Sequence, residues 1–222
     1  MKIKRVVIII LFILIILSSL YFVNLFIKLE NLKEMTFDDM IIYTTKNKKD
    51  VKISVGIIKD NETSYIVYGE NGSKLDGVLH NYEIGSITKT FTTTLLCKAI
   101  EENKLDIKKS IDKYLNLDKD KFYPNLENIV SHTAGYKEYY FDLHLITNFL
   151  KGYSNSYYGI TKDKILSTVK NLNLRDKKYN FRYSNFGISV IGLILEKIYN
   201  QEYSKLLNDF IKKELELSNT NI

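Results

Sequence analysis

The stretch Tyr82-Glu83-Ile84-Gly85-Ser86-Ile87-Thr88-Lys89-Thr90-Phe91 decides how the rest of this chain is read. It has the pattern of a strand end, a glycine turn and the first turn of a helix. Gly85 removes the side chain that would block close approach to the next residue. Ser86 and Lys89 lie three residues apart, on one helical face and one turn from each other. A lysine nitrogen beside a hydroxyl can orient it, lower its pKa and accept its proton. The positive end of the helix dipole favours negative charge that builds on an attacked group there. The spacing alone says little, because Ser-x-x-Lys also occurs at Ser110/Lys113 and Ser167/Lys170. Those two serines are expected inside solvated helices, without an exposed turn or a dipole end. Only Ser86 follows Glu-Ile-Gly at a strand–helix junction.

A serine–lysine pair needs a proton shuttle from elsewhere in the chain. Tyr114, Tyr123, Tyr153 and Tyr183 each have Asn two residues on. Tyr183-Ser184-Asn185 is the best placed, in a loop before an apolar helix, with Gly187 close behind. A tyrosine beside a lysine ammonium loses its proton more readily than usual. Asn185 can hold the lysine or a substrate amide.

The surrounding pattern is mixed α and β. Val51 to Ile58 alternates in part like a strand, Asp60-Asn61-Glu62 turns, and Thr63 to Tyr68 returns as a second strand. Val78 to Ile84 leads into the opening stretch. A helix is expected from about Ser86 to Asn103, with Phe91, Leu95, Leu96, Ala99 and Ile100 inward. Cys97 lies in that run and is read as a core residue; as the single cysteine it excludes an intrachain disulfide. Asp106 is expected to cap a short helix through Ile107, Ile111 and Tyr114. Leu126, Ile129 and Val130 precede a turn at Ser131-His132-Thr133-Ala134-Gly135. Asp142 to Tyr158, with many Tyr, Asn and Ser, is expected as an irregular surface excursion near a cleft. Thr161 caps a helix that turns Ile165, Leu166, Val169 and Leu172 inward. Phe186 to Tyr199 is apolar nearly all round, the mark of a buried helix. Tyr203, Leu206, Leu207, Phe210 and Ile211 make a final amphipathic face.

The formal charge of +6 comes almost entirely from lysine, since Arg5, Arg175 and Arg182 are the only arginines. No basic block with interleaved aromatics stands out, so no nucleic-acid partner is expected. His80, His132 and His144 are scattered and no Cys/His cluster occurs, so neither metal nor cofactor is expected.

Met1-Lys2-Ile3-Lys4-Arg5 is a short basic start, and Val6 to Ile27 carries no charge over a length that spans a bilayer. A cleaved signal peptide is the competing reading. It wants a shorter apolar core and a small-x-small site, for which Ser18-Ser19-Leu20 is a poor candidate. The favoured organisation is a cytoplasmic start at 1–5, a transmembrane anchor at 6–27, a connector at 28–50 and a domain at 51–222. The basic flank places the domain on the extracytoplasmic side of a single-pass membrane protein.

Together these residues carry a family resemblance. The chain resembles the serine β-lactamase and penicillin-binding protein superfamily, in its class C and DD-peptidase-like branch. Tyr82 to Phe91 is similar to the nucleophile block. Leu105-Asp106-Ile107 through Tyr114-Leu115 is similar to the following L-D-…-Y-L segment. Ile129 to Tyr136 resembles the L-L-S-H-T-S-G-L block, and Phe181 to Gly187 the F-x-Y-S-N-x-G motif. The order and spacing agree from about residue 36 onward.

The resemblance implies an α+β, β-lactamase/transpeptidase-like fold. It implies Ser86 as acylated nucleophile, Lys89 as its proton-accepting partner, and Tyr183 as the base or acid serving attack and leaving group. Asn185 would bind the substrate amide or orient Lys89, and the Ser86 N–H would supply one oxyanion-hole donor. His132 is read as structural, shaping its turn. The implied protein is a membrane-anchored extracytoplasmic serine hydrolase. Its substrates would be peptidoglycan peptides, β-lactams or other small amides and esters, which the sequence does not separate. The family's third motif, Lys or His, then Thr or Ser, then Gly, does not follow Asn185. The fold is therefore expected to be incomplete and C-terminally truncated, an N-terminal hairpin plus a helical region without the C-terminal strands. The hairpin would keep an open edge. Activity is expected to be impaired, since one oxyanion donor is worth roughly 2.7–4 kcal/mol of barrier. The alternative expectation is a catalytically inactive cell-wall or penicillin-binding pseudoenzyme.

Overall fold

A computed structural model describes residues 2–76, 80–140 and 143–222. Val78 and Asp142, where two expected segments begin, lie outside these residues. The chain divides into two compact units, residues 1–82 and 83–222.

In the first unit, α1 (Lys2–Lys33) is one unbroken helix of 32 residues. Its Val7–Glu30 portion has a mean hydropathy of 2.8, long and apolar enough to cross a membrane. The helix continues past Ile27, so the first part of the expected connector is helical. α2 (Phe37–Thr45) starts at a capping box, in which Thr36 and Asp39 satisfy each other's backbone N–H. β1 (Ile53–Lys59) and β2 (Glu62–Tyr68) form the expected antiparallel hairpin, with Ile53 opposite Tyr68. Asp60 and Asn61 turn it with φ of 51° and 63°, the left-handed pair that matches strand twist. The short β3 (Lys74–Leu75) pairs with β2 and gives the order β1-β2-β3. Thr45 Oγ1 accepts the Gly72 N–H at 2.8 Å, tying α2 to the turn after β2. β1 keeps one unpaired edge among the described residues, and Ile58 and Tyr65 are 80% and 68% exposed.

The second unit is helical: α3 (Thr88–Glu101), α4 (Leu126–Val130), α5 (Leu143–Leu150), α6 (Lys162–Asn171), α7 (Asn185–Tyr199) and α8 (Tyr203–Lys213). α7 is its axis, and Val190, Ile191, Ile194 and Leu195 are wholly buried. Leu95, Leu96 and Ala99 of α3 and Leu207, Phe210 and Ile211 of α8 belong to the same core. Truncating Leu195 to Ala would cost about 2–5 kcal/mol. Ser184 caps the start of α7, and Asn200 ends it in the left-handed conformation. Thr92 and Tyr203 hydrogen-bond at 2.6 Å, joining α3 to α8. Where α3 ends, Lys104, Lys98 and Tyr199 hold the Glu102 carboxyl down to about 2.

Four expectations are corrected. Cys97 is exposed: Leu95, Leu96 and Ala99 take the inward stripe, and Cys97 falls on the opposite side of the turn. Part of the 142–158 excursion is the helix α5, seated by Asn148. That residue is 2% exposed, and its amide donates to the carbonyls of Ser156 at 3.1 Å and Tyr158 at 2.7 Å. Asp106 caps no helix. Its Oδ1 accepts the Lys108 N–H at 2.9 Å in a tight turn, and a single 3-10 turn forms at Ile111–Lys113. Ser110 therefore sits in extended backbone bridged to Asn125, not inside a helix, whereas Ser167 lies within α6 as expected.

Candidate active site

The decisive stretch folds as a 3-10 turn, Gly85–Ile87, leading straight into α3. Gly85 has φ +51°, and a Cβ built on it would meet nothing within 4 Å. Glycine is thus required by the backbone conformation rather than by crowding, and alanine would cost roughly 1–2 kcal/mol there. The left-handed residue turns the chain so that Ser86 is exposed at the head of α3. Backbone N–H groups in a first helical turn lack intrahelical acceptors and carry the positive end of the dipole.

Lys89, one turn on, donates from Nζ to Ser86 Oγ at 2.9 Å. The Tyr183 hydroxyl donates to the same oxygen at 2.8 Å, from 97 residues away in sequence. The Lys89 nitrogen also lies 5.0 Å from the centroid of the Tyr183 ring. The Lys89 ammonium first, and the Ser86 hydroxyl second, hold the Tyr183 phenol below its ordinary pKa. Two donors on one oxygen stabilise negative charge on it, and the depressed pKa favours the Tyr183 phenolate, the form that could accept the Ser86 proton in place of donating to it.

Tyr183 is placed by the turn at Ser131–Gly135. The His132 carbonyl accepts the Arg182 N–H at 2.8 Å, and His132 Nδ1 accepts the Ser184 N–H at 3.2 Å. These two contacts bracket Tyr183 on either side. The His132 ring packs on the Tyr183 ring with centroids 4.8 Å apart. Burial first, and the Lys89 charge second, push the His132 pKa below its usual value, so Nδ1 stays free to accept. His132 has φ +60°, which aims both its ring and its carbonyl at the same loop. Ser184 completes the clamp: its hydroxyl donates to the Lys137 carbonyl at 2.6 Å and accepts the Gly187 N–H at 2.9 Å. The clamping roles of His132 and Ser184 were not read from the sequence. Serine three residues before Gly187, at the head of an apolar run, is the cap signal that would have found Ser184.

Asn185 is the first residue of α7. Ser86, Lys89 and Asn185 line one cavity of about 720 Å³. Among the described residues the Asn185 amide makes no hydrogen bond, so it is available to a ligand. Ser86, Lys89, Tyr183 and Asn185 are therefore brought together. The other two serines are not part of any such group: Ser110 Oγ donates to the Tyr123 carbonyl at 2.7 Å and Ser167 Oγ to the Lys164 carbonyl at 3.0 Å. No group of three or more His, Cys, Asp or Glu side chains able to hold a metal occurs among the described residues.

Comparison with known proteins follows the same lines. A β-lactamase of Providencia stuartii is 25% identical over 197 residues, 86% of this chain and 47% of that protein. A β-lactamase of Pseudomonas fluorescens is 29% identical over 173 residues, 76% of this chain and 45% of its own length. The chain thus spans about half the length of these curated relatives. Among solved structures, a class C β-lactamase from Rhodobacter sphaeroides matches with TM-score 0.59 and 19% identity, over 82% of this chain and 49% of that one. An octameric penicillin-binding protein homologue from Pyrococcus abyssi gives 0.59 and 23%, over 75% of this chain and 39% of that one. These likenesses show a β-lactamase/transpeptidase-like fold. The Beta-lactamase family model matches residues 44–222, which takes in the hairpin, the Ser86 turn and the Tyr183 loop. By that match the chain belongs to the β-lactamase family, within the superfamily of serine β-lactamases and penicillin-binding proteins.

Proposed function

We propose that this protein is a serine hydrolase that works through an acyl-enzyme on Ser86. The observation that carries the reading is the pair of hydrogen bonds that Lys89 Nζ and the Tyr183 hydroxyl donate to Ser86 Oγ. In this account Ser86 Oγ attacks a carbonyl carbon and its proton passes to Tyr183, taken as phenolate beside the Lys89 ammonium. The Ser86 N–H, at the head of α3, stabilises the oxyanion that forms. Tyr183 then gives the proton to the departing nitrogen or oxygen as its bond to the carbonyl breaks. Water cleaves the serine ester by the reverse use of the same groups and restores the free hydroxyl. Asn185 holds the substrate amide. The substrate class is a β-lactam, a peptidoglycan peptide or another small amide or ester.

The anchor belongs to the same reading. Val7–Glu30 is long enough to span a bilayer, and the basic start orients it with the domain outside. This gives a single-pass membrane protein acting beside the cell wall. The second reading is a penicillin-binding pseudoenzyme, which would hold the same ligands at Ser86 and Asn185 without forming the serine ester.

A fluorescent penicillin separates the two. Covalent label on the folded chain that disappears in Ser86→Ala supports the hydrolase. Saturable binding without covalent label supports the pseudoenzyme, and label that persists in Ser86→Ala contradicts the assignment of the nucleophile.

A further inference from the structure

The cavity does not stop at Ser86. It continues between α3 and α7, which bring their N-terminal ends to it at Thr88 and Asn185. Asn185, Ile188, Ser189, Gly192, Leu193 and Glu196 line it at steps of three and four, so one face of α7 forms its floor. That span of α7 is roughly 16 Å at a rise of 1.5 Å per residue. Tyr139, Tyr157, Ile160 and Ile165 also line it, with the rings of Tyr139 and Tyr157 edge-on at 6.4 Å. At the far end the Tyr203 ring lies over Gly192, within 3.3 Å of where a Cβ would sit. The ion pair of Lys162 with Glu196, at 2.6 Å, closes that end with charge.

We infer that this groove binds the acyl part of the substrate, and that the acyl part is a linear apolar chain. The inference rests on the acyl-enzyme reading above and adds the substrate's shape to it. The Tyr183 hydroxyl, which gives its proton to the leaving group in that reading, meets Ser86 Oγ at 2.8 Å, while the groove runs on from Ser86 along α7. The leaving group therefore departs on the Tyr183 side, and the groove is left for the group that stays esterified to Ser86. A peptide chain would bring N–H and C=O groups against Ile188, Leu193, Ile160 and Ile165, which offer no hydrogen bonds. An alkyl chain suffers no such cost. Advancing about 1.3 Å per carbon, from bonds near 1.5 Å, it would fill the groove with about ten to twelve carbons.

The test is acylation of the full chain in nanodiscs by p-nitrophenyl acetate, butanoate, hexanoate and octanoate, read as p-nitrophenol burst and adduct mass on Ser86. Each fully buried methylene is worth about fourfold. The acylation rate constant should rise at least tenfold from acetate to octanoate. Ser189→Phe, at an exposed position on the groove floor, should bring the octanoate-to-acetate ratio close to one. Thr168→Phe, from the α6 wall, should do the same, with circular dichroism confirming that each variant folds. A flat series, or a rise that both variants keep, overturns the inference, and the kept rise marks partition into the bilayer. If no ester, acetate included, forms an adduct, the acyl-enzyme reading fails on its own. Binding of dansyl-undecanoate then still judges the groove. Binding lost in Ser189→Phe upholds an alkyl site, and binding absent or unchanged in the variant overturns it.

Discussion

Ser86 and Ser167 begin the same four-residue pattern, serine with lysine three residues on, and the structure gives them unlike surroundings. Ser167 sits inside α6 and spends its hydroxyl on the Lys164 carbonyl, 3.0 Å away in its own helix. Ser86 sits ahead of α3, behind a left-handed glycine, and its oxygen receives Lys89 and Tyr183. Ser110 makes a third case, held in extended backbone with its hydroxyl on Tyr123. Three things distinguish the first site: a position before the helix, a lysine turned back along it, and a phenol delivered by a distant loop. The first two are local. The third depends on the clamp that His132 and Ser184 put on residues 182–184.

The largest expected effect comes from removing the oxygen itself. Ser86→Ala should lower acylation by on the order of a thousandfold or more, measured as burst amplitude with an activated ester. Ser110→Ala and Ser167→Ala should stay within about twofold, the range of substitutions remote from chemistry. A comparable loss in either would erase the distinction between the three pairs.

Lys89→Met and Tyr183→Phe come next, each lowering the acylation rate constant by about 10²–10⁴. Their double variant should lose far less than the product of the two, because both hydrogen-bond the same Ser86 oxygen and act on one proton in the proposed mechanism. Lys170→Met should change nothing in the same assay.

The pH profile sharpens the comparison further. Tyr183 titrates below its ordinary value of 10.0 because Lys89, and then Ser86, favour its phenolate. Acylation should therefore rise with pH along a limb centred below 10.0 and level off above it. Lys89→Met removes the leading cause and should move that limb upward. A limb that stays in place would assign the base elsewhere.

The smallest effect tests the clamp. His132→Ala leaves the Ser184 N–H without its acceptor, at a cost of about 1–3 kcal/mol in thermal or denaturant unfolding. Wild-type stability should also carry a His132 signature. Its folded pKa lies below the unfolded value of 6.5, so the contribution is complete above 6.5 and is lost as pH falls from there through the folded pKa. His132→Ala should remove that part of the pH dependence.

Much of this was legible beforehand, for physical reasons that can be named. The hairpin follows from strand alternation around Asp60-Asn61, residues that accept a left-handed turn. α7 follows from an apolar run too long and too uniform for a surface helix. The exposed turn at Ser86 followed from the glycine before it, and the order of four motif blocks pointed to the loop that carries Tyr183 and Asn185. What stayed hidden depends on distant partners. Cys97 shares the composition of a core run, and only the packing of Leu95, Leu96 and Ala99 decides which side of α3 is inward. Residues 143–150 form a helix because Asn148 finds two carbonyls eight and ten residues on, which periodicity does not register. Asp106 spends its carboxylate on a turn that competes with the helix it was expected to start.

The central claim is that one serine of three equivalent patterns is the nucleophile. Exposing the full 222-residue chain to an activated ester or a penicillin, then digesting it and mapping the adduct by mass spectrometry, tests this most directly. The account predicts a stoichiometric adduct on the peptide holding Ser86, with the peptides holding Ser110 and Ser167 unmodified. An adduct on either of those, or equal partial modification of all three, would contradict it.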